Sequence, residues 1–396
     1  MWEWITELWP TLWPALGAIA IILAVVPLMG LYMTFIERKL AAYVQDRIGP
    51  NRVGPFGLLQ AVADGIKIFL KEQVIPDHVY TTLYFLAPAL SLMTAMFAVV
   101  VMPFGPVAPD YQGGFRFIVQ PGNDIGILFM MAISSLSAYG IIVGGWASNN
   151  KYSVYGAIRS CAQFISYEIP LGLSIVGVIA ITGSLNIEKI VAAQSGGILD
   201  WNVCWQPLAL LIFFTAALAE TNRLPFDLPE CEQELVGGFH TEYSGIKFVL
   251  FFLAEYTHIV TVSFLTVLLF FGGWHFPGLP NATDGSMLGM LLGLLVLLAK
   301  VAMVVAFIML LRWALPRFRF DQLMGLAWKG LIPMGLVHVV GIVIVLTLGL
   351  PKHWMILTAG LPIAAAYYSS IKFNASMAEL SARGSGIRKA SAVSYE

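Results

Sequence analysis

Six of the 23 acidic residues of this 396-residue chain stand between Glu220 and Glu242, within AETNRLPFDLPECEQELVGGFHTE, where Arg223 is the one Lys or Arg. Only 11% of all residues are charged, so the cluster departs from the chain's own composition. Crowded carboxylates oppose one another's ionisation and titrate as a set, so a small rearrangement can move protons among them. The chemistry indicated is proton exchange. Further ionisable residues interrupt the apolar runs on either side: Glu168, Glu255, His258 and Lys300. Such residues are costly at membrane depth and face a bundle interior, where acids with a Lys and a His can form a relay. Plainer readings stand beside that one. Glu168 and Glu220 can snorkel from helix ends, Glu255 and Lys300 can belong to structural ion pairs, and His258 can be a hydrogen-bonded interior histidine.

The sequence argues against several other chemistries. Cys161, Cys204 and Cys231 form no CxxC or Cys/His ligand spacing, so neither a metal nor an iron–sulfur site is expected in this chain. No Walker loop or strand-linked GxGxxG appears, so no nucleotide site is expected. A net charge of −1 gives no reason to expect nucleic acid as a partner.

The elements that must position the acids are membrane spans. With 58% hydrophobic residues the chain is too apolar for a soluble domain. Its mean hydropathy of +0.80 agrees. A hydrocarbon core of ~30 Å needs roughly 17–25 apolar helical residues. Nine runs qualify, near Trp13–Ile36, Leu83–Met102, Asp124–Trp146, Gln163–Ile181, Val203–Ala219, Gly245–Trp274, Met287–Leu311, Leu331–Leu350 and Trp354–Phe373. Runs this long exclude barrel strands. The expected fold is an all-α polytopic transmembrane bundle of about nine spans, forming one membrane domain over 1–373 with a polar, basic, disordered tail at 374–396. Trp2, Trp4, Trp9 and Trp13 read as an interfacial belt. Of the 22 Lys and Arg, 18 fall in the loops after the odd-numbered spans and in the tail, and 3 in the opposite loops. The positive-inside rule then puts the N-terminus outside and the C-terminus in the cytoplasm, with the 220–244 acidic loop cytoplasmic.

Two loop features refine this picture. In PFGLLQAVADGIKIFLK (55–71), Phe56, Leu59, Val62, Ile66 and Phe69 recur at spacings of three and four, with Asp64, Lys67 and Lys71 on another face. That pattern predicts an amphipathic helix in the interface, with Pro55 in its first turn. In the acidic loop, Pro225, Pro229, Gly237 and Gly238 fix the chain path, while Leu224, Phe226, Leu228, Leu235, Val236 and Phe239 seek burial. The loop is expected to fold back toward the bundle and carry its acids inward.

Four stretches carry a family resemblance: FIERKLAAYVQDRIGPNRVGPFGLLQAVADGIKIFLKE (35–72), AISSLSAYGIIVGGWASNNKYSVYGAIRSCAQFISYE (132–168), AETNRLPFDLPECEQELVGGFHTEYSGIKFVLFFLAEY (219–256) and RWALPRFRFDQLMGLAWK (312–329). They resemble the H subunit of bacterial NADH-quinone oxidoreductase, respiratory complex I, whose mitochondrial counterpart is core subunit 1. The resemblance implies a tilted bundle at the junction of the membrane and hydrophilic arms, in a bacterial cell (inner) membrane. Its loops, with two hydrophilic-arm subunits, would close a chamber for ubiquinone or menaquinone. It implies a translocase in which quinone reduction drives proton translocation, with FMN and iron–sulfur clusters in partner subunits and no redox centre or bound cofactor in this chain. The other partners implied are small membrane-arm subunits and the lipid bilayer.

Carried residue by residue, the resemblance assigns Glu37, Arg38, Arg47, Asp64 and Lys67 to the quinone access region. It assigns Arg223 and Asp227 to the chamber floor, Glu230, Glu232 and Glu234 to the coupling loop, and Glu168, Glu220 and Glu255 to the start of an acidic path into the membrane arm. Gln73, Cys231 and His258 depart from the family pattern. The alternative is the membrane anchor of a related energy-converting hydrogenase or ferredoxin-linked complex, which shares the fold. An antiporter is disfavoured by the absence of inverted repeats.

Overall fold

A computed structural model describes residues 2–105, 119, 122–229, 232–278, 287–360 and 362–364. Every regular element among them is helical. In chain order these are α1 (Trp2–Val44), α2 (Gln60–Leu70), α3 (Thr81–Val100), α4 (Gly126–Ala147), α5 (Lys151–Thr182), α6 (Ile187–Ala192), α7 (Asn202–Trp205), α8 (Pro207–Glu220), α9 (Glu232–Leu235), α10 (Ile246–Phe270), α11 (Met287–Ala314), α12 (Phe320–Gly325) and α13 (Ile332–Thr347). Glu230, the Glu232 side chain, the side chains of Trp2, Trp4 and Trp9, and the 374–396 tail lie outside the described residues.

Among the described residues seven helices are long and apolar enough to cross a membrane, α12 and α13 forming one of them through a π-helical turn at Leu326–Leu331. The chain is a multi-pass membrane protein. An eighth apolar helix, α8, has 14 residues, about 21 Å at 1.5 Å per residue. It is shorter than the expected Val203–Ala219 run because Gln206, at φ −130° and ψ 58°, breaks the helix before Pro207 restarts it. Half of the expected ninth run, residue 361 and residues 365–373, lies outside the described residues.

Two helices begin earlier than hydropathy indicates. α5 starts at Lys151, twelve positions before the expected Gln163, so Lys151 and Arg159 belong to a helix. Its first turns are small and polar, with Ser153, Gly156, Ala157 and Ser160 buried, and the Asn150 side chain caps it by accepting from the Tyr152 amide. The helix approaches its neighbour closely there: a Cβ at Gly156 would stand 2.8 Å from the Gly238 Cα. Similarly, the helical stretch expected from Leu331 starts at Phe320.

The 55–71 helix is also corrected. Pro55–Gly57 forms a separate single turn, Phe56 and Gly57 have φ of 54° and 84°, and the helix proper is α2. Gly57 is required, since a Cβ there would meet the Pro50 carbonyl oxygen at 2.2 Å.

α10 is the central pillar. From Tyr256 to Phe270 every residue is buried, and Thr257, Thr261, Ser263 and Thr266 satisfy their hydroxyls on carbonyls one turn back. At its C-terminal end, away from the acidic loop, the free carbonyls are met by side chains. Gln194 donates to Leu268 and Leu269, and Asn202 to Leu269. Lys300 donates to the carbonyls of Phe271, Gly273 and His275 at 2.7, 2.9 and 2.7 Å and lies 4.3 Å from the Trp201 ring centroid. Lys300 is thus the donor that satisfies an irregular turn at membrane depth, in place of the expected ion pair or relay.

Candidate functional site

At the other end of the bundle, α1, α10, α11 and the loop after α8 converge on one carboxylate. Glu37, only 6% exposed, accepts from Arg223 at 3.2 and 3.3 Å, from the Tyr256 hydroxyl at 2.5 Å, and from Arg312. The Arg223 guanidinium lies over the Tyr256 ring, 4.4 Å from its centroid. Burial opposes the charge of Arg223, but the neighbouring Tyr256, Glu37 and Glu255 outweigh it and raise the guanidinium above its ordinary value. Two cations and two acids therefore share one site, with Glu37 and Arg223 inside it and Arg312 at its solvent-facing rim, because a buried charge must be paired. A cavity of about 290 Å³ opens on it, lined by Thr34, Glu37, Arg38, Arg47, Phe252, Tyr256 and Arg312 among others.

Beside it, a polar cavity of about 700 Å³ is lined by Arg38, Arg47, Arg52, Gln60 and the residues from Ile48 to Asn51. Arg38 pairs with Asp64 of α2 at 2.6 Å, and Gln60 fixes the other Asp64 oxygen at 3.0 Å. Arg47 is held by Gln45 at 2.7 Å, while Lys67 is exposed on α2. The amphipathic helix is thereby tied to the end of α1.

The acidic loop folds back in part: Leu228, Leu235 and Phe239 are buried as expected, whereas Val236, expected inward, is 61% exposed. Gln163 of α5 donates to the carbonyls of Ala219 and Phe226 at 2.8 and 2.9 Å. Phe226 and Leu228 are buried, and the Phe226 ring sits between Tyr167 and Phe318 at 5.6 and 5.7 Å. Asp227 pairs with Arg317 at 3.1 Å, and Glu234 with Arg159 at 2.6 Å on an exposed surface. Glu242, last of the six acids, accepts from Asn150 at 2.7 Å. Next to it Tyr243 stacks on Tyr84 with ring centroids 4.3 Å apart, and burial pushes its phenol up.

Glu168 and Glu220 form a pair of their own. Ser135 of α4 hydrogen-bonds Glu168, Ser134 hydrogen-bonds Glu220, and the two carboxyls interact through charge. Glu255, which the sequence groups with them, is coupled through charge to Arg223. The expected row of acids is therefore divided: one pair on α5 and α8, and one acid in the Glu37 cluster. Sequence reasoning missed Tyr256, Arg312, Arg317, Ser134 and Ser135. The two arginines lie in the 312–329 stretch, to which no site role was assigned, and neutral hydroxyls inside apolar runs give no signal.

Comparison with known proteins agrees with the resemblance. Residues 17–343 match the family model described as NADH dehydrogenase. A protein of Leptospira biflexa serovar Patoc, named as the H subunit of NADH-quinone oxidoreductase, is 49% identical over 333 residues, covering 82% of this chain and 92% of that relative. One of the same name from Protochlamydia amoebophila is 47% identical over 310 residues, covering 78% and 90%. NADH-quinone oxidoreductase subunit 8 of Rhodothermus marinus is 46% identical over 339 residues, covering 84% and 96%. With matches of this extent running through α1, the acidic loop and α11, the chain belongs to the family of NADH-quinone oxidoreductase H subunits.

Proposed function

We propose that this chain is the membrane subunit that walls the quinone chamber of a proton-pumping NADH-quinone oxidoreductase and passes the effect of quinone reduction into the membrane. The observation that carries this reading is the buried Glu37–Arg223–Arg312–Tyr256 cluster at a cavity reached past α1 and α2. A quinone with a long isoprenoid tail needs an apolar approach at the interface and polar, charged groups farther in. The exposed apolar side chains of α2, Ile66, Phe69 and Leu70, supply the first, and Arg38, Arg47 and the cluster supply the second.

Quinone takes up two electrons and two protons to become quinol. The electrons come from an iron–sulfur cluster of a partner subunit, itself fed by FMN. Proton uptake changes the charge facing Arg223, whose hold on Glu37 and Glu255 then shifts. Arg223 is three residues from Glu220, and Gln163 clamps the turn between them, so movement of the loop reaches the Glu168–Glu220 pair directly. Asp227 and Glu234 set the loop's position through their pairs with Arg317 and Arg159, and Glu230 and Glu232 belong to the same coupling loop. The acidic loop faces the cytoplasm of a bacterial cell inner membrane, with the N-terminus outside.

Glu220→Gln in the assembled complex tests the coupling role. NADH-driven, inhibitor-sensitive quinone reduction and proton pumping are expected to fall together by more than about tenfold, the loss of roughly 1.4 kcal/mol of driving interaction. Wild-type rates for both would remove Glu220 from the path. Co-purification with a hydrogen-evolving nickel subunit, in place of flavin and iron–sulfur subunits, would favour the hydrogenase-anchor reading.

A further inference from the structure

Ser134 and Ser135 are neighbours on α4, yet each meets a different acid: Ser134 hydrogen-bonds Glu220 at the end of α8, and Ser135 hydrogen-bonds Glu168 of α5. Both hydroxyls also reach one further acceptor, the Met131 carbonyl, at 3.0 and 2.8 Å. That carbonyl has two lone pairs, and one of them serves the Ser135 amide four residues on in the same helix. A single lone pair is left for two hydroxyls. Each hydroxyl has one proton to give, so the two cannot both be well seated on Met131, and the one displaced turns its proton to its own carboxyl group.

Given the acid path proposed above, on which this rests, we propose that Ser134 and Ser135 are positioning residues that hold one proton on the Glu168–Glu220 pair and let it change sides by exchanging the free lone pair of Met131. With the proton on Glu220, that carboxyl donates to the Ser134 oxygen, Ser134 donates to Met131, and Ser135 donates to the ionised Glu168. When the proton leaves Glu220 and arrives on Glu168, the two hydroxyls swap: Ser135 accepts from Glu168 and donates to Met131, while Ser134 donates to the ionised Glu220. The serine hydrogens rotate and are not themselves transferred. Both end states have the same number of hydrogen bonds, so neither strands a buried polar group. The other two charge states fit less well. Two ionised carboxylates repel each other, and two protonated ones would need both serines on Met131 at once.

The test uses the assembled complex in proteoliposomes with NADH as donor. Alanine is a better helix former than serine, so α4 should survive Ser134→Ala and Ser135→Ala. Each variant removes one end state, and inhibitor-sensitive quinone reduction and proton pumping are expected to fall about tenfold, the effect of one lost hydrogen bond to a charged group. The double variant should be no slower than the slower single, since the two hydroxyls act as one unit. Ser134→Thr and Ser135→Thr keep a hydroxyl able to reach the same carbonyl and should restore most of the rate. Redox-induced infrared difference spectra of the wild type are expected to contain a carboxyl band that shifts in heavy water and is lost in Glu168→Gln and in both alanine variants; a helix-packing role for the serines would leave it in place. Wild-type rates in either alanine variant, losses that multiply in the double variant, threonine doing no better than alanine at both positions, or an unchanged carboxyl band would each overturn the proposal. Glu220→Gln, measured alongside, separates the two failures. Wild-type rates there remove Glu220 from the path, whereas a slow Glu220→Gln beside a wild-type alanine variant removes only the exchange of hydroxyls.

Discussion

The buried cluster makes a quantitative prediction about Glu37→Gln. Glu37 and Glu255 face Arg223 and Arg312, so neutralising Glu37 leaves one uncompensated cation in the site. Breaking a fully buried ion pair costs about 3–5 kcal/mol. The Arg312 side chain is 40% exposed and can turn to water, while that of Arg223 is 12% exposed and cannot. Arg223 also keeps the Tyr256 face and Glu255, so we expect a loss of about 2 kcal/mol. If the cluster is broken in the rate-limiting step of heat inactivation, that loss makes inactivation roughly 30-fold faster. The assay is the half-life of inhibitor-sensitive quinone reductase in purified complex at fixed temperature, for Glu37→Gln, Arg223→Gln and the double variant. The double variant removes both charges and should be hit less hard than the sum of the singles, with a coupling of about 1–2 kcal/mol. A Glu37→Gln half-life within about twofold of wild type, or strictly additive singles, would refute the assignment of a buried charge network.

Lys300→Met leaves the carbonyls of Phe271, Gly273 and His275 without their donor at about 1–3 kcal/mol each, so little of this subunit should appear in assembled complex on a native gel, and Lys300→Arg should recover part of it. Gly156→Ala drives a methyl to 2.8 Å from backbone at Gly238 and Phe239; the expected cost is about 1–3 kcal/mol, read as a lower inactivation midpoint with an unaltered quinone KM. Arg38→Gln breaks a pair whose side chains are 52% and 24% exposed. Its stability effect should stay within about 1 kcal/mol, while the KM for a long-tailed quinone rises more than that for a short-tailed one.

Much of the fold was legible because it is local. A span announces itself as an unbroken apolar run, and the predicted positions of α3, α4, α10 and α11 agree with the observed ones to within a few residues. The inward folding of the acidic loop was legible for a related reason: Phe226 and Leu228 could not remain in water, and both are buried. Where hydropathy failed, the helix was made by other means. The start of α5 depends on an Asn cap and on small residues fitting against Gly238, and Gln206 ends the run before α8 by its backbone conformation.

The sequence alone determined the class of molecule, a helical membrane bundle with protonatable residues at depth, since burial of apolar length and scarcity of charge are read directly from residue order. It also supplied Glu168, Glu220 and Glu255 as candidates from their positions in and beside the apolar runs, and Glu37 and Arg223 through the family resemblance. Only tertiary structure decided their grouping. Glu37 meets Arg223 and Arg312 across 186 and 275 positions of chain, Glu255 is drawn to that cluster, and Lys300 is assigned to backbone carbonyls in place of an acid. The physical reason is that helix formation depends on neighbours in sequence, whereas the partner of a buried charge is whichever opposite charge or dipole the packing of distant helices brings within about 3 Å.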